Sequence, residues 1–277
     1  MRHHRTMTGL AALALTASAG LALADQPDTE NLPDQIVLTG TIRDFHARNN
    51  GGHTDFEWRP SGGYGHYVGM VAPDLDDDGK PVYAGGGHKI RSQWKDSSGR
   101  AIAPPMAHLP TLPGDRTGQM LSEDGGSLHT PEAFAQWFRD VPGVNASMPL
   151  DITLVRNEGT NVYTFDDRAD PYFQDLGGFF PINNELFGNY GSTGKNFHFT
   201  FELETEFVYK ADTGQVFTFT GDDDVWVFID GKCVIDIGGV HSRVSQTIDL
   251  DRLAWLEDGN TYQLKFFFAE RHTTQSN

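Results

Sequence analysis

The sequence predicts an all-β protein: a sandwich of short antiparallel strands, with a long loop-rich N-terminal half and one or two short helices. Three observations carry that reading. From residue 130 onward, apolar and polar side chains alternate over runs of a few residues, the period of a strand with one buried face. Gly, Asn, Asp and Pro punctuate those runs, and 31 glycines in 277 residues supply enough turn positions to end each strand soon after it starts. One short helix is delimited, by Thr130-Pro131 at its start and Pro142-Gly143 at its end. No internal repeat, heptad pattern or long low-complexity tract appears, so the fold is read as a single domain over 36–277.

Taken in order, residues 1–24 read as a cleaved secretory leader. Arg2 to Arg5 form its basic head, an Ala/Leu-rich run covers 10–23, and Ala22-Leu23-Ala24 is an A-x-A site that sets the mature start at Asp25. The apolar run is too short for an ordinary membrane span, and no Cys stands near the site to carry a lipid. A secreted or cell-surface location is expected. Residues 25–35 are a polar linker. Ile36 to Phe45 alternate and form the first strand. Residues 49–126 are dense in Gly, Pro, His and Asp, and predict few regular elements beyond a short strand near Pro81 to Ala84; loops of such length are usually functional. Thr130 is a good N-cap, Pro131 suits the first helical position and Glu132 favours the helix dipole. Ala133, Phe134, Trp137 and Phe138 give that helix its apolar face, and Pro142-Gly143 stops it.

Strands resume at 151–156 and 162–166. A Gly/Asn-rich loop runs to Asn196, and Phe197 to Tyr209 form a long strand with Phe197, Phe199, Phe201 and Leu203 on one face. Phe217 and Phe219, then Val225, Val227 and Ile229, belong to two further strands that flank Asp222, Asp223 and Asp224. Asp230-Gly231 is a two-residue type I′ turn into Lys232 to Ile237. Val244 to Leu250 and Tyr262 to Ala269 are the last strands, joined by a helical turn at 251–256. Cys233 is the one cysteine, which excludes an intrachain disulfide; it shares strand parity with Ile235 and Ile237 and is expected on a core face.

A formal charge of −17, from 38 acids against 21 bases, disfavours nucleic acid and anionic membranes, which need a basic face. Four places gather polar chemistry. Asp222-Asp223-Asp224 are three consecutive like charges that need neutralising by water or a cation such as Ca²⁺; otherwise they only cap turns. Gly238-Gly239-Val240-His241 allows close backbone approach and offers an imidazole to the same end of a sandwich. Glu270, Arg271 and His272 head a polar run that ends at Asn277 and follows the apolar Phe266 to Phe268, a candidate ligand loop; Glu270 and Arg271 are equally readable as an ion pair. Asp74, Asp76 and Asp78, followed by Gly79, match the opening of an EF-hand loop, but the twelfth position is Gly85 and no helices flank it. That leaves a looser Ca²⁺ loop or a solvated acidic turn. No G-x-S-x-G, H-E-x-x-H or phosphate-loop motif occurs, so the protein is expected to be no enzyme; a glycosidase would need two carboxyls about 5 to 10 Å apart across a cleft.

The motifs GDDDVWVFIDGK and FFAERHTTQSN, with GGVH between them, resemble the fibro-slime domain, a relative of the PA14 β-sandwich. The resemblance extends back through NFHFTFEL, FRDVPGVN and LTGTIRDF, nearly the whole mature chain. It implies that Asp222-Asp223 hold a Ca²⁺ that grips sugar hydroxyls, with Asn277 as a further ligand. In the family another apolar strand follows the TTQSN run; here the expectation is a truncated final strand and an exposed sheet edge. The expected function is Ca²⁺-assisted binding of a glycan or matrix polysaccharide, in adhesion. The rivals are a structural matrix module whose Ca²⁺ only stiffens loops, and a carbohydrate-active enzyme with an unrecognised carboxylate pair.

Overall fold

The chain builds its fold from strands that zigzag between two layers. The computed structural model describes residues 12–17, 32–273 and 276. Ala12–Ala17 form strand β1, although that run reads in sequence as part of a leader; the rest of the leader lies outside the described residues. Gln35–Phe45 form β2, within one residue of the expected start.

The segment between β2 and residue 126 is more regular than its composition predicts. It holds β3 (Tyr67–Val68), β4 (His88–Ser92), β5 (Trp94–Lys95), β6 (Ala101–Ile102) and β7 (Gln119–Asp124). The strand expected near 81–84 reduces to one isolated bridge between Val71 and Tyr83. Helix α1 (Pro131–Phe134) starts as expected: the Thr130 hydroxyl accepts from Ala133 N at 3.2 Å. It is a single turn; Trp137 and Phe138 lie in the turns that follow it, and both are buried in one cluster with Phe134.

β8 (Asn145–Arg156) begins six residues earlier than predicted, since its first half pairs with β2 along the full length of both. β9 (Tyr163–Asp166) follows, and then helix α2 (Pro171–Leu176), which the sequence reading missed. Its signals were present: Asp170 caps it, Pro171 opens it and Gly177 ends it in the left-handed region. β10 (Phe199–Val208), β11 (Gln215–Gly221), β12 (Asp224–Ile229), β13 (Lys232–Ile237), β14 (Val244–Asp249) and β15 (Thr261–Glu270) lie where the alternation put them. Asp230 and Gly231 both have positive φ, as a type I′ turn requires.

The main sheet runs β13-β12-β15-β10-β2-β8-β9-β1-β11-β14, with neighbouring strands antiparallel. It doubles over into an all-β sandwich. Phe201 and Leu203 of β10, Val225 and Val227 of β12 and Phe266 and Phe268 of β15 meet Phe217 and Phe219 of β11 in the principal core. The outer face of β12 and β15 is covered by the N-terminal segment. There Trp226, Phe228 and Phe267 pack against Tyr67, Phe134, Trp137 and Phe138 in a second core.

Cys233 is fully buried, but in this second core and not beside Ile235 and Ile237. The register shifts between Val227 and Phe228, so Val227 faces Ile235 while Phe228 faces Cys233. One extra residue in a strand reverses its parity. Among the described residues no helix is long and apolar enough to cross a membrane.

Candidate functional site

β11 lies in one layer and β12 in the other, and Asp222 and Asp223 are the two residues that carry the chain across. Asp223 sits at φ 54, a left-handed conformation that Asp tolerates better than most residues. The crossing brings the acids to the end of the sandwich where β15 finishes, because Asp224 pairs in register with Ala269. Asp222, Asp223 and Asp224 are all buried, and so is Glu270.

Asp224 and Arg271 neutralise one another. Arg271 donates from Nε to Asp224 Oδ2 at 2.5 Å and from Nη2 to Oδ1 at 3.2 Å, and neither side chain is exposed. The Arg271 Nη1 and Nη2 groups also donate to the Ser127 carbonyl and hydroxyl at 2.7 and 2.8 Å. Its guanidinium lies 5.4 Å from the centre of the Trp137 ring. Arg271 is therefore a structural strut, not the exposed ligand-binding residue expected. Asp224, expected as a metal ligand, is its counter-ion and also accepts from Gly239 N at 2.5 Å. The alternative ion pair of Glu270 with Arg271 does not form, since consecutive residues of an extended segment point to opposite sides.

Asp223 Oδ2 accepts from Arg271 N at 3.1 Å, and Glu270 Oε1 accepts from His272 N at 3.4 Å. Burial pushes the Asp223 carboxyl well above the usual carboxylate range, and the neighbouring Asp222 and Asp224 push it further. Burial raises Glu270 likewise, followed by the charges of Asp223 and Asp222. Glu270 Oε2 is buried and has no hydrogen-bond partner. A buried acceptor in that state carries a desolvation cost that a cation relieves. Among the described residues no group of three or more His, Cys, Asp or Glu side chains is placed to hold a metal ion. The donor chemistry nevertheless fits a hard divalent ion, which takes carboxylate oxygens and completes its shell with water or ligand.

The paired glycines behave as the sequence indicated. Gly238 exchanges both backbone hydrogen bonds with Tyr67, at 2.7 and 2.8 Å, and Gly239 has φ 87. A Cβ on Gly239 would stand 2.6 Å from the Gly65 carbonyl oxygen. His241 donates from Nδ1 to the Ser242 carbonyl at 2.9 Å and lies 5.5 Å from His66, ring to ring.

His272 reaches a partner that sequence reasoning missed. Its Nδ1 is 2.6 Å from Glu57 Oε2, while Glu57 Oε1 is 3.1 Å from His198 Nε2 and accepts from Thr273 N at 2.9 Å. Burial works to raise the Glu57 carboxyl, but the hydrogen bonds from His198 and His272 hold it well below the usual range. Glu57 has φ 62, a strained position for Glu. Tyr64 stacks on His272 with centroids 4.6 Å apart and planes at 30°, and is 38% exposed. Burial raises its hydroxyl and the charge of Glu57 adds to the shift, while Arg59 and Arg271 oppose it. The signal for these residues was the acid–aromatic run His53-Thr54-Asp55-Phe56-Glu57-Trp58 inside a long loop; no periodicity marks it. Asn277 lies outside the described residues.

The Asp74 to Gly79 loop is far from this end. Leu75 N donates to the Gly231 carbonyl, at the opposite end of β12 from Asp224. Asp76 accepts from Asp78 N and Lys80 N at 3.0 and 2.8 Å, and its other oxygen meets Arg139 Nη2. Asp78 is 3.4 Å from the same nitrogen. Arg139 thus supplies the positive charge at Asp76 and Asp78, while Asp74 forms a backbone bridge with Lys232.

Buried groups elsewhere make the fold respond to pH with opposing signs. Burial pushes Asp44 up to about 7 and Asp236 up to about 6. Each acid stabilises the fold while protonated, so its contribution is lost as pH rises from about 4 through those values. Burial pushes His66 down to about 3 and His241 down to about 4. Their contribution is present above pH 6.5 and is lost as pH falls. Between about pH 4 and 6.5 the two slopes offset each other. Asp44→Asn removes one acid, so urea unfolding of that variant is expected to lose stability on acidification more steeply than the wild type. Equal slopes would mean that Asp44 titrates alike in the folded and the unfolded chain.

Comparison with known proteins follows the same geography. The PA14 domain family matches residues 182–277, the part that holds β10 to β15 and the acid crossing. Protein psiD of Dictyostelium discoideum is 36% identical over 258 residues, which cover 90% of this chain and 41% of psiD. Protein psiQ is 38% identical over 178 residues, 60% of the chain and 17% of psiQ; protein psiR is 34% identical over 251 residues, 87% and 20%. The chain therefore spans less than half the length of these relatives. No solved structure matches it.

Proposed function

The chain is a PA14-like protein of the fibro-slime kind, and from that premise we propose that it is a secreted, non-enzymatic module that binds carbohydrate with the help of Ca²⁺ in adhesion. The observation that carries the proposal is an exposed aromatic ring, Tyr64, stacked on His272, two residues beyond Glu270, whose buried Oε2 has no hydrogen-bond partner. Asp222, Asp223 and Glu270 would hold the ion. A bound Ca²⁺ supplies open coordination positions that accept vicinal hydroxyls. The protein's own part is to hold the acids at the crossing, to clamp Arg271 behind them and to offer the Tyr64 face to the apolar side of a sugar ring.

The charge pattern elsewhere supports a binding role over catalysis. A polar depression over β2 and β10 contains Glu202 and Glu204. Glu202 is bound by Lys80 at 2.5 Å and by Arg43 at 2.9 Å, and Glu204 by Lys265 at 3.1 Å.

A glycan array read with and without Ca²⁺ tests the proposal. Tyr64→Ala is expected to weaken the best glycan about tenfold, the worth of one lost ring stack, with unchanged thermal stability. Calcium binding without any glycan binding would favour the matrix module whose ion only stiffens loops.

A further inference from the structure

A second exposed ring stands on the same scaffold as Tyr64. Phe187 is 38% exposed and stacks on His46, with centroids 4.2 Å apart and planes at 16°. Its neighbour Leu186 is 39% exposed at φ 49, and Asn184 has φ 64. Two apolar side chains are thus presented to water by a loop held in a rare backbone conformation, a combination that marks binding surfaces. The loop is pinned from below, because Phe187 N donates to Asp44 Oδ2 at 2.8 Å.

The two rings are fastened to one buried network. The other Asp44 oxygen accepts from Asn196 Nδ2 at 2.8 Å, and Asn196 Oδ1 accepts from His198 N at 2.9 Å. His198 contacts Glu57, and Glu57 contacts His272 beneath Tyr64. Tyr190 closes the interval: its ring lies 4.5 Å from that of His198, and its hydroxyl meets the Asn49 amide. The segments that carry Tyr64 and Phe187 are therefore joined by packed side chains before any ligand arrives, which lowers the ordering cost of a ligand that reaches both.

Resting on the carbohydrate reading above, we propose that Tyr64 and Phe187 are the two ends of one face that takes an extended internal stretch of a polysaccharide. A single sugar ring touches one platform only. Linked pyranoses present apolar faces and hydroxyl edges in repetition, matching two aromatic platforms with amide and hydroxyl groups between them.

The test is affinity against chain length. Linear oligosaccharides of glucose, mannose and N-acetylglucosamine, of one to six units, are titrated into the full chain in Ca²⁺ buffer. Affinity is expected to rise about tenfold or more between the short and the long members of the preferred series, the worth of one added ring stack. Phe187→Ala is expected to abolish that rise and leave the monosaccharide unaffected, whereas Tyr64→Ala weakens every length. Monosaccharide binding with no length dependence would overturn the extended face and leave the carbohydrate module standing. No binding at any length would overturn both. Self-association of the wild type that is lost in Phe187→Ala, with flat length dependence, would assign the ring to an interface between copies and overturn the proposal.

Discussion

Arg271→Met is expected to destabilise the protein by about 3–5 kcal/mol, the usual cost of breaking a fully buried ion pair from one side. Asp224 would be left charged, unexposed and held only by Gly239 N. The Ser127 carbonyl and hydroxyl would lose their donors as well. Arg271→Lys is expected to recover little, because a point ammonium cannot reach Asp224 and Ser127 together as the planar guanidinium does. Asp224→Asn/Arg271→Met is expected to be more stable than Arg271→Met alone, since the stranded charge is gone. Urea unfolding midpoints of the three variants decide the matter. A loss under about 1 kcal/mol, typical of exposed pairs, would mean that water reaches Asp224 and that the end of the sandwich is open.

Asp223→Asn is expected to act in opposite directions with and without calcium. Burial and the adjacent acids hold the Asp223 carboxyl well above its ordinary range, so ionisation at neutral pH works against the fold. Asparagine resembles the protonated acid and tolerates the left-handed backbone, so the variant is expected to be more stable than the wild type in chelator. In calcium the order reverses. An ion at a hundred times its dissociation constant stabilises the wild type by about 2.7 kcal/mol, and the variant forgoes that gain. Calorimetric titration of both proteins with CaCl₂ reads the ion directly. Equal heats would place calcium elsewhere, with the Asp74 to Gly79 loop as the next site to mutate. No heat in either would remove calcium from the mechanism.

Much of the architecture was legible because it is written in local periods. The alternation of Phe217 and Phe219, of Val225, Val227 and Ile229, and of the β10 phenylalanines fixes which faces are buried. Asp230-Gly231 fixes a hairpin through φ preference alone, and Thr130-Pro131 fixes a helix start through its cap. The three acids between two strands were legible as like charges in need of neutralising. Helix α2 was equally readable from Asp170, Pro171 and Gly177, and was overlooked.

Other features depend on which distant segments meet. Nothing local tells that Arg271 pairs with Asp224 and Ser127, separated from it by 47 and 144 residues, or that Arg139 answers Asp76 across 63. Glu57 lies in a loop without periodicity, and its partners His198 and His272 come from two other parts of the chain. The bulge that turns Cys233 away from Ile235 is set by how β12 and β13 fit together, not by either strand's pattern. The sequence by itself determined the strands, their buried faces and the acids at a crossing, because strand period and turn preference are properties of neighbouring residues. Only the tertiary structure decided that Asp224 is the acid paired with Arg271, because burial and ion pairing are properties of residues brought together when the two layers close.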